Sequence, residues 1–187
     1  MEKEQIEKLI SEEATKAVSV FDAIIKEKSV ESFKFKLDSK YFKTDFITHD
    51  ITQDVNFKEM FDKLKEYNDY PALYFFQINQ ELDKTEILNL MIKDDSLKIP
   101  AINNYKENKG FLYVGKVTSC AWGRLIQHLG YHKQRKSHGI QVGLWDKASK
   151  ELELSFTVIF FEKESRDYLI LLEKMLSKQL EPIIGKH

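Results

Sequence analysis

Residues 72 to 78, Ala-Leu-Tyr-Phe-Phe-Gln-Ile, form an almost unbroken apolar run directly after the turn-forming Asn68-Asp69-Tyr70-Pro71. A short apolar run bounded by turn residues reads as a β-strand, and the change in composition at the turn marks where a core domain begins. A second apolar run, Phe111 to Gly115 within Gly110-Phe-Leu-Tyr-Val-Gly-Lys116, has the same character. The two are expected to be neighbours in an antiparallel sheet, which puts Tyr74 and Tyr113 on adjacent strands. A buried phenol needs a hydrogen-bond partner, so each tyrosine is either a core aromatic or a chemical group.

The remaining periodicity surrounds these strands with helices. Ile6, Leu9, Ile10, Ala14, Ala17, Val18, Phe21 and Ile24 recur at helical spacing and predict a helix over residues 2 to 27. Phe33, Phe35 and Leu37 alternate with Lys34, Lys36 and Asp38 in strand fashion, and Phe57, Met60, Phe61 and Leu64 suggest another helix. Beyond the first core strand, helices are expected over Lys84 to Lys93, Ala121 to Leu129 and Ser165 to Leu180. Strands are expected about Gln141 to Trp145, as an edge extension or part of a loop, and over Glu153 to Phe161. The division is therefore a mainly helical extension at 1–68 and a core domain at 69–187.

Composition narrows the function classes. A chain of 187 residues with 42% hydrophobic and 32% charged residues has an ordinary globular make-up. No segment approaches the roughly 20 apolar residues of a membrane helix and the first residues carry no apolar signal, so a cytoplasmic location without membrane contact is expected. The lone Cys120 excludes an intrachain disulfide and a multi-cysteine zinc site, leaving oxygen or imidazole ligands for any metal. A hard divalent cation fits best. Net charge is −1, but residues 111 to 150 hold 7 Lys or Arg against Asp146 alone. That local field suits a polyanion, with Lys133, Arg135 and Lys136 in the basic loop as contacts; the same charges would also suit a solvated loop.

Five further positions carry chemistry. The strand ending in Tyr113-Val114-Gly115 leads through Lys116 to a helix bearing Arg124 and His128 at i and i+4, on one face. A guanidinium can clamp two phosphate oxygens, Lys116 adds a charge, and Gly115 permits close approach of backbone. In the last helix, Leu169, Leu172, Leu176 and Leu180 form an apolar stripe, and Glu173 falls inside it. An inward carboxylate requires a cation, a metal or several donors; a structural ion pair is the other reading.

Taken together, these residues resemble the GIY-YIG nuclease superfamily over about residues 70 to 185. Ala72-Leu73-Tyr74 is similar to the family's Gly-Ile-Tyr, Tyr113-Val114-Gly115 to its Tyr-Ile-Gly, Arg124 to its helical arginine and Glu173 to its metal-binding glutamate. His128 matches a histidine of restriction-type members. The 38 residues between Tyr74 and Tyr113 exceed the family's short hairpin, which implies an insertion at about 80–109. The resemblance implies an α/β (α+β) domain with a small central antiparallel three-stranded sheet flanked by helices. It also implies hydrolysis of DNA phosphodiesters with Mg²⁺ or Mn²⁺ on Glu173. In that scheme Arg124 neutralises phosphoryl charge, Tyr74 relays a proton with help from Lys116 or His128, and Tyr113 orients water or phosphate. All are expected to line one cleft. A noncatalytic nucleic-acid-binding protein of the same fold and an enzyme acting on a small phosphorylated ligand are the alternatives. Cutting both strands from one active site needs a homodimer or sequential nicking.

Overall fold

The computed structural model describes residues 3–27, 29–42, 48–91, 101–105, 109–132, 139–145 and 152–185. These residues form an α+β fold. In chain order the main elements are α1 (Lys3–Glu27), β1 (Glu31–Asp38), α2 (Lys58–Glu66), β2 (Ala72–Ile78), α3 (Lys84–Leu90), β3 (Phe111–Val117), α4 (Ala121–Leu129), β4 (Glu153–Phe160) and α5 (Leu169–Leu180). None of the described helices is long and apolar enough to cross a membrane.

The sheet has four antiparallel strands in the order β1-β4-β2-β3, one more than the resemblance implied. The added strand is the alternating segment at 31–38, which pairs with β4 along its whole length from Glu31↔Phe160 to Asp38↔Glu153. Its alternation has a simple cause. Phe33, Phe35 and Leu37 pack into the main core while Lys34 and Lys36 point to water. β2 lies between β4 and β3 and is covered on both faces, which explains its nearly continuous apolar sequence.

One face of the sheet carries the larger core. Tyr74, Phe76, Phe156, Val158 and Phe160 meet Met60, Phe61 and Leu64 of α2 and Leu125 and Leu129 of α4. Phe76 and Phe156 meet at 5.1 Å between ring centroids with their planes tilted by 48°, and burial of each such side chain is worth about 1.5–3 kcal/mol. On the opposite face, Leu73, Phe75 and Val114 pack against Leu169, Leu172 and Leu176 of α5, joined by Ile24 of α1. A register shift beyond Phe76 places Phe76 opposite Tyr113 and Gln77 opposite Phe111. The extra residue, Leu112, thereby joins Tyr113 at the larger core.

The free edge of β3 is partly covered by the chain's last described residues. Ile183 and Ile184 donate their N–H groups to the carbonyls of Phe111 and Leu112 at 3.0 Å each, and Ile184 bridges on its other side to Ile102. The expected strand about Gln141 to Trp145 is instead a 3₁₀ turn at Val142–Leu144. Gln141 turns the backbone at φ 54°, and Trp145 Nε1 donates back to the Ile140 carbonyl at 3.0 Å. Likewise α5 starts at Leu169 rather than Ser165, because Ser165 closes a separate 3₁₀ turn by donating its hydroxyl to the Glu162 carbonyl at 2.7 Å.

Candidate active site

The amphipathic pattern of α4 fixes where its polar groups go. Ala121, Leu125, His128 and Leu129 are buried, so His128 enters the core with the leucines while Arg124, one turn earlier, reaches the margin. Both ends of α4 are held. Asn68 accepts from the Cys120 N–H and from Trp122 Nε1, each at 2.7 Å, and Gly130 closes the helix at φ 94°.

Directly beneath α4, Tyr74 of β2 is paired with Gly115 of β3. A Cβ on Gly115 would stand 2.6 Å from the Tyr74 phenol and 2.6 Å from the Tyr113 ring. The missing side chain is therefore what lets the two tyrosines stack, 6.0 Å between centroids and 18° from parallel. The Tyr74 hydroxyl lies 2.9 Å from His128 Nε2 and accepts from Arg124 Nε at 3.2 Å. Arg124 is steadied in turn by Nη1 donating to Gln127 Oε1 at 2.6 Å. Tyr113 completes the group with its ring 4.8 Å from that of His128.

Burial decides the protonation states here. Tyr74 is 2% exposed and His128 fully buried. Desolvation first, and then the neighbouring Tyr113 phenol, raise the Tyr74 pKa, while Arg124 pulls the other way without prevailing. Tyr74 is thus a phenol at rest, although the resemblance would have the surrounding cations favour phenolate. Burial, and after it the charge of Arg124, hold His128 well below the usual histidine range, so its imidazole is neutral. Arg124 itself stays charged: desolvation works against the charge, and the Tyr74 and Tyr113 phenols outweigh it.

Glu173 arrives from the other face of the sheet. It lies on the half-buried side of α5 with Leu172 and Leu176, and its Oε1 accepts the Lys116 backbone N–H at 3.2 Å. Burial raises its pKa, opposed by the charge and N–H of Lys116 and then by Arg124. The charge of Arg124 is thus felt, weakly, at Glu173, whose carboxylate is held at the Lys116 backbone. Tyr113, Lys116, Arg124 and Glu173 are all half-buried and reach solvent, whereas Tyr74 and His128 form a layer below them. The single open cleft expected from the sequence is in fact this two-layer arrangement. Lys133, Arg135 and Lys136 lie outside the described residues.

Three contributors carried no sequence signal: Gln127, which orients Arg124; Asn68, which anchors the start of α4; and the backbone N–H of Ile140, which donates to His128 Nδ1 at 3.2 Å. Among the described residues, no group of three or more His, Cys, Asp or Glu could hold a metal ion. Glu173 is a lone half-buried carboxylate with one oxygen engaged. Such a donor suits a cation that keeps most of its water and takes further ligands from a bound phosphate, as Mg²⁺ does. No family, curated protein or solved structure matches this chain.

Proposed function

We propose that the protein is a divalent-metal-dependent DNA endonuclease, hydrolysing phosphodiester bonds at the edge of β3. The observation that carries this reading is the convergence of Glu173, from one face of the sheet, with Arg124, Tyr113 and the Tyr74–His128 pair, from the other, at the Gly115-Lys116 backbone. An anionic phosphodiester seated there meets a half-buried guanidinium already oriented by Gln127 and Tyr74, which can neutralise charge developing on the phosphoryl oxygens without reorganising. Lys116 adds a second positive charge beside it. Tyr113 presents a phenol to orient the attacking water, and Tyr74 holds a proton at its hydroxyl just below. Mg²⁺ or Mn²⁺ would be held by Glu173 and, when bound, would polarise a nonbridging phosphate oxygen and stabilise the leaving one. Residues 69–187 together with β1 and α2 of the first 68 residues, which are built into the same sheet and core, would form the nuclease domain, and Lys133, Arg135 and Lys136 would meet the DNA backbone. A homodimer would supply a second site for the second strand.

One observation favours the noncatalytic reading: the Tyr74 hydroxyl is buried and already engaged by His128 Nε2 and Arg124 Nε. Incubation with supercoiled and branched DNA, with Mg²⁺ or Mn²⁺ and with chelator, separates the two. Metal-dependent nicking supports the nuclease. Salt-sensitive binding by folded protein, with no cleavage of either DNA under any metal condition, would establish the binding protein instead.

A further inference from the structure

The segment after the basic loop packs back against the end of α4. Gly139 lies so close to the end of α4 that a Cβ would overlap the Gln127 carbonyl and stand 3.0 Å from the His128 backbone nitrogen. Only a residue without a side chain brings the chain this near, and the approach delivers the Ile140 N–H to His128 Nδ1 at 3.2 Å.

A backbone amide can only donate, so Nδ1 must be the unprotonated nitrogen. The neutral imidazole then carries its hydrogen on Nε2 and donates it to the Tyr74 hydroxyl, 2.9 Å away. Arg124 Nε donates to the same oxygen. With two N–H groups directed at it, the Tyr74 oxygen makes its remaining bond with its own hydrogen. The neighbouring Tyr113 hydroxyl affects Tyr74 in the sense expected of a group that accepts that hydrogen.

We propose that the Gly139–Ile140 backbone is a positioning element for Tyr74: it selects the Nε2–H tautomer of His128 and so makes the histidine a donor to the phenol rather than the acceptor of its proton. As a mechanistic statement this rests on the nuclease reading. In that reading a proton leaving Tyr74 passes by way of the Tyr113 hydroxyl to the leaving oxygen of the phosphodiester, the proton lost by the attacking water returns along the same route, and the phenolate in between keeps two N–H donors. His128 thus holds the oxygen and does not relay the proton.

Long-range ¹H–¹⁵N correlation spectra of the full chain, labelled at histidine, read the tautomer without any DNA. The His128 signals, assigned by their loss in His128→Gln, are expected to show a single Nε2–H form near neutral pH. Gly139→Ala and Ile140→Pro, which displace or delete the donated N–H, should convert it to a mixture containing Nδ1–H. Ile140→Val retains the N–H and should retain the single form. Nicking by folded Gly139→Ala protein should fall on the order of a hundredfold. Wild-type His128 in the Nδ1–H form, or a tautomer unchanged in folded Ile140→Pro, would overturn the proposal. The wild-type result can overturn the proposal whether or not a variant folds, and Gly139→Ala supplies the second test of selection where Ile140→Pro does not fold. If the tautomers behave as stated while no DNA is cut, the positioning element stands and the nuclease reading falls.

Discussion

Tyr74 and Gly115 face each other across β2 and β3, and the Tyr74 phenol occupies the space that a side chain at position 115 would require. Gly115 is therefore a packing partner of two tyrosines, beyond any close approach of backbone to a ligand. Gly115→Ala should destabilise the fold by about 1–3 kcal/mol, since both rings are hemmed in and cannot yield freely. Urea unfolding monitored by tyrosine fluorescence measures this, and a midpoint equal to wild type would mean that the rings yield.

Glu173→Gln retains an oxygen that can accept the Lys116 N–H while removing the charge. The folded state raises the Glu173 pKa, so it binds the proton more tightly than the unfolded chain. This contribution to stability is full below the ordinary glutamate range and is lost as pH rises through it toward the folded value. The variant should lack that decline and melt no lower than wild type at neutral pH, while metal-dependent nicking disappears. Nicking at full specific activity by folded Glu173→Gln would remove Glu173 from the metal site.

His128 predicts the opposite slope. Its folded pKa is depressed, so the unfolded chain binds the proton first, and stability falls as pH drops below about 6.5, by at most about 1.4 kcal/mol per pH unit. Thermal melts between mildly acidic and neutral pH should show this loss in wild type and a shallower one in His128→Gln. The variant should also start lower, by about 1–3 kcal/mol, for its disrupted buried hydrogen bonds. Parallel pH profiles would mean that His128 is not the buried titrating group.

Arg124→Lys preserves the charge and discards the geometry. A lysine lacks the planar fork that donates to Tyr74 and Gln127 at once, so nicking should fall about 10²–10³-fold with little change in melting. Activity close to wild type would show that only the positive charge matters.

Much of this site was legible because it follows from short-range periodicity. The apolar run at 72–78 placed Tyr74, the i,i+4 spacing placed His128 one turn beyond Arg124, and the leucine stripe of α5 turned Glu173 inward. What escaped depends on contacts between distant segments. The alternation of Phe33, Phe35 and Leu37 indicates a half-buried strand, but alternation does not name the strand it pairs with, so its place beside β4, inside the central sheet, emerges only from the structure. Nothing in the sequence around Gly139 marks its close approach to α4, and the Ile140 amide has no counterpart in a residue code. The burial that keeps Tyr74 protonated likewise arises from the packing of α4 over the sheet.

The cover that Ile183 and Ile184 lay over the edge of β3 bears on how safely the chain folds. Their N–H groups reach the carbonyls of Phe111 and Leu112 from far along the sequence, so during folding that half of the strand edge stays bare until the tail docks. A bare, apolar edge is a template for the same edge on another molecule. Removing residues 182–187 would leave the rest of the sheet's hydrogen bonding in place yet make intermolecular strand pairing the main hazard, with self-association that grows with protein concentration.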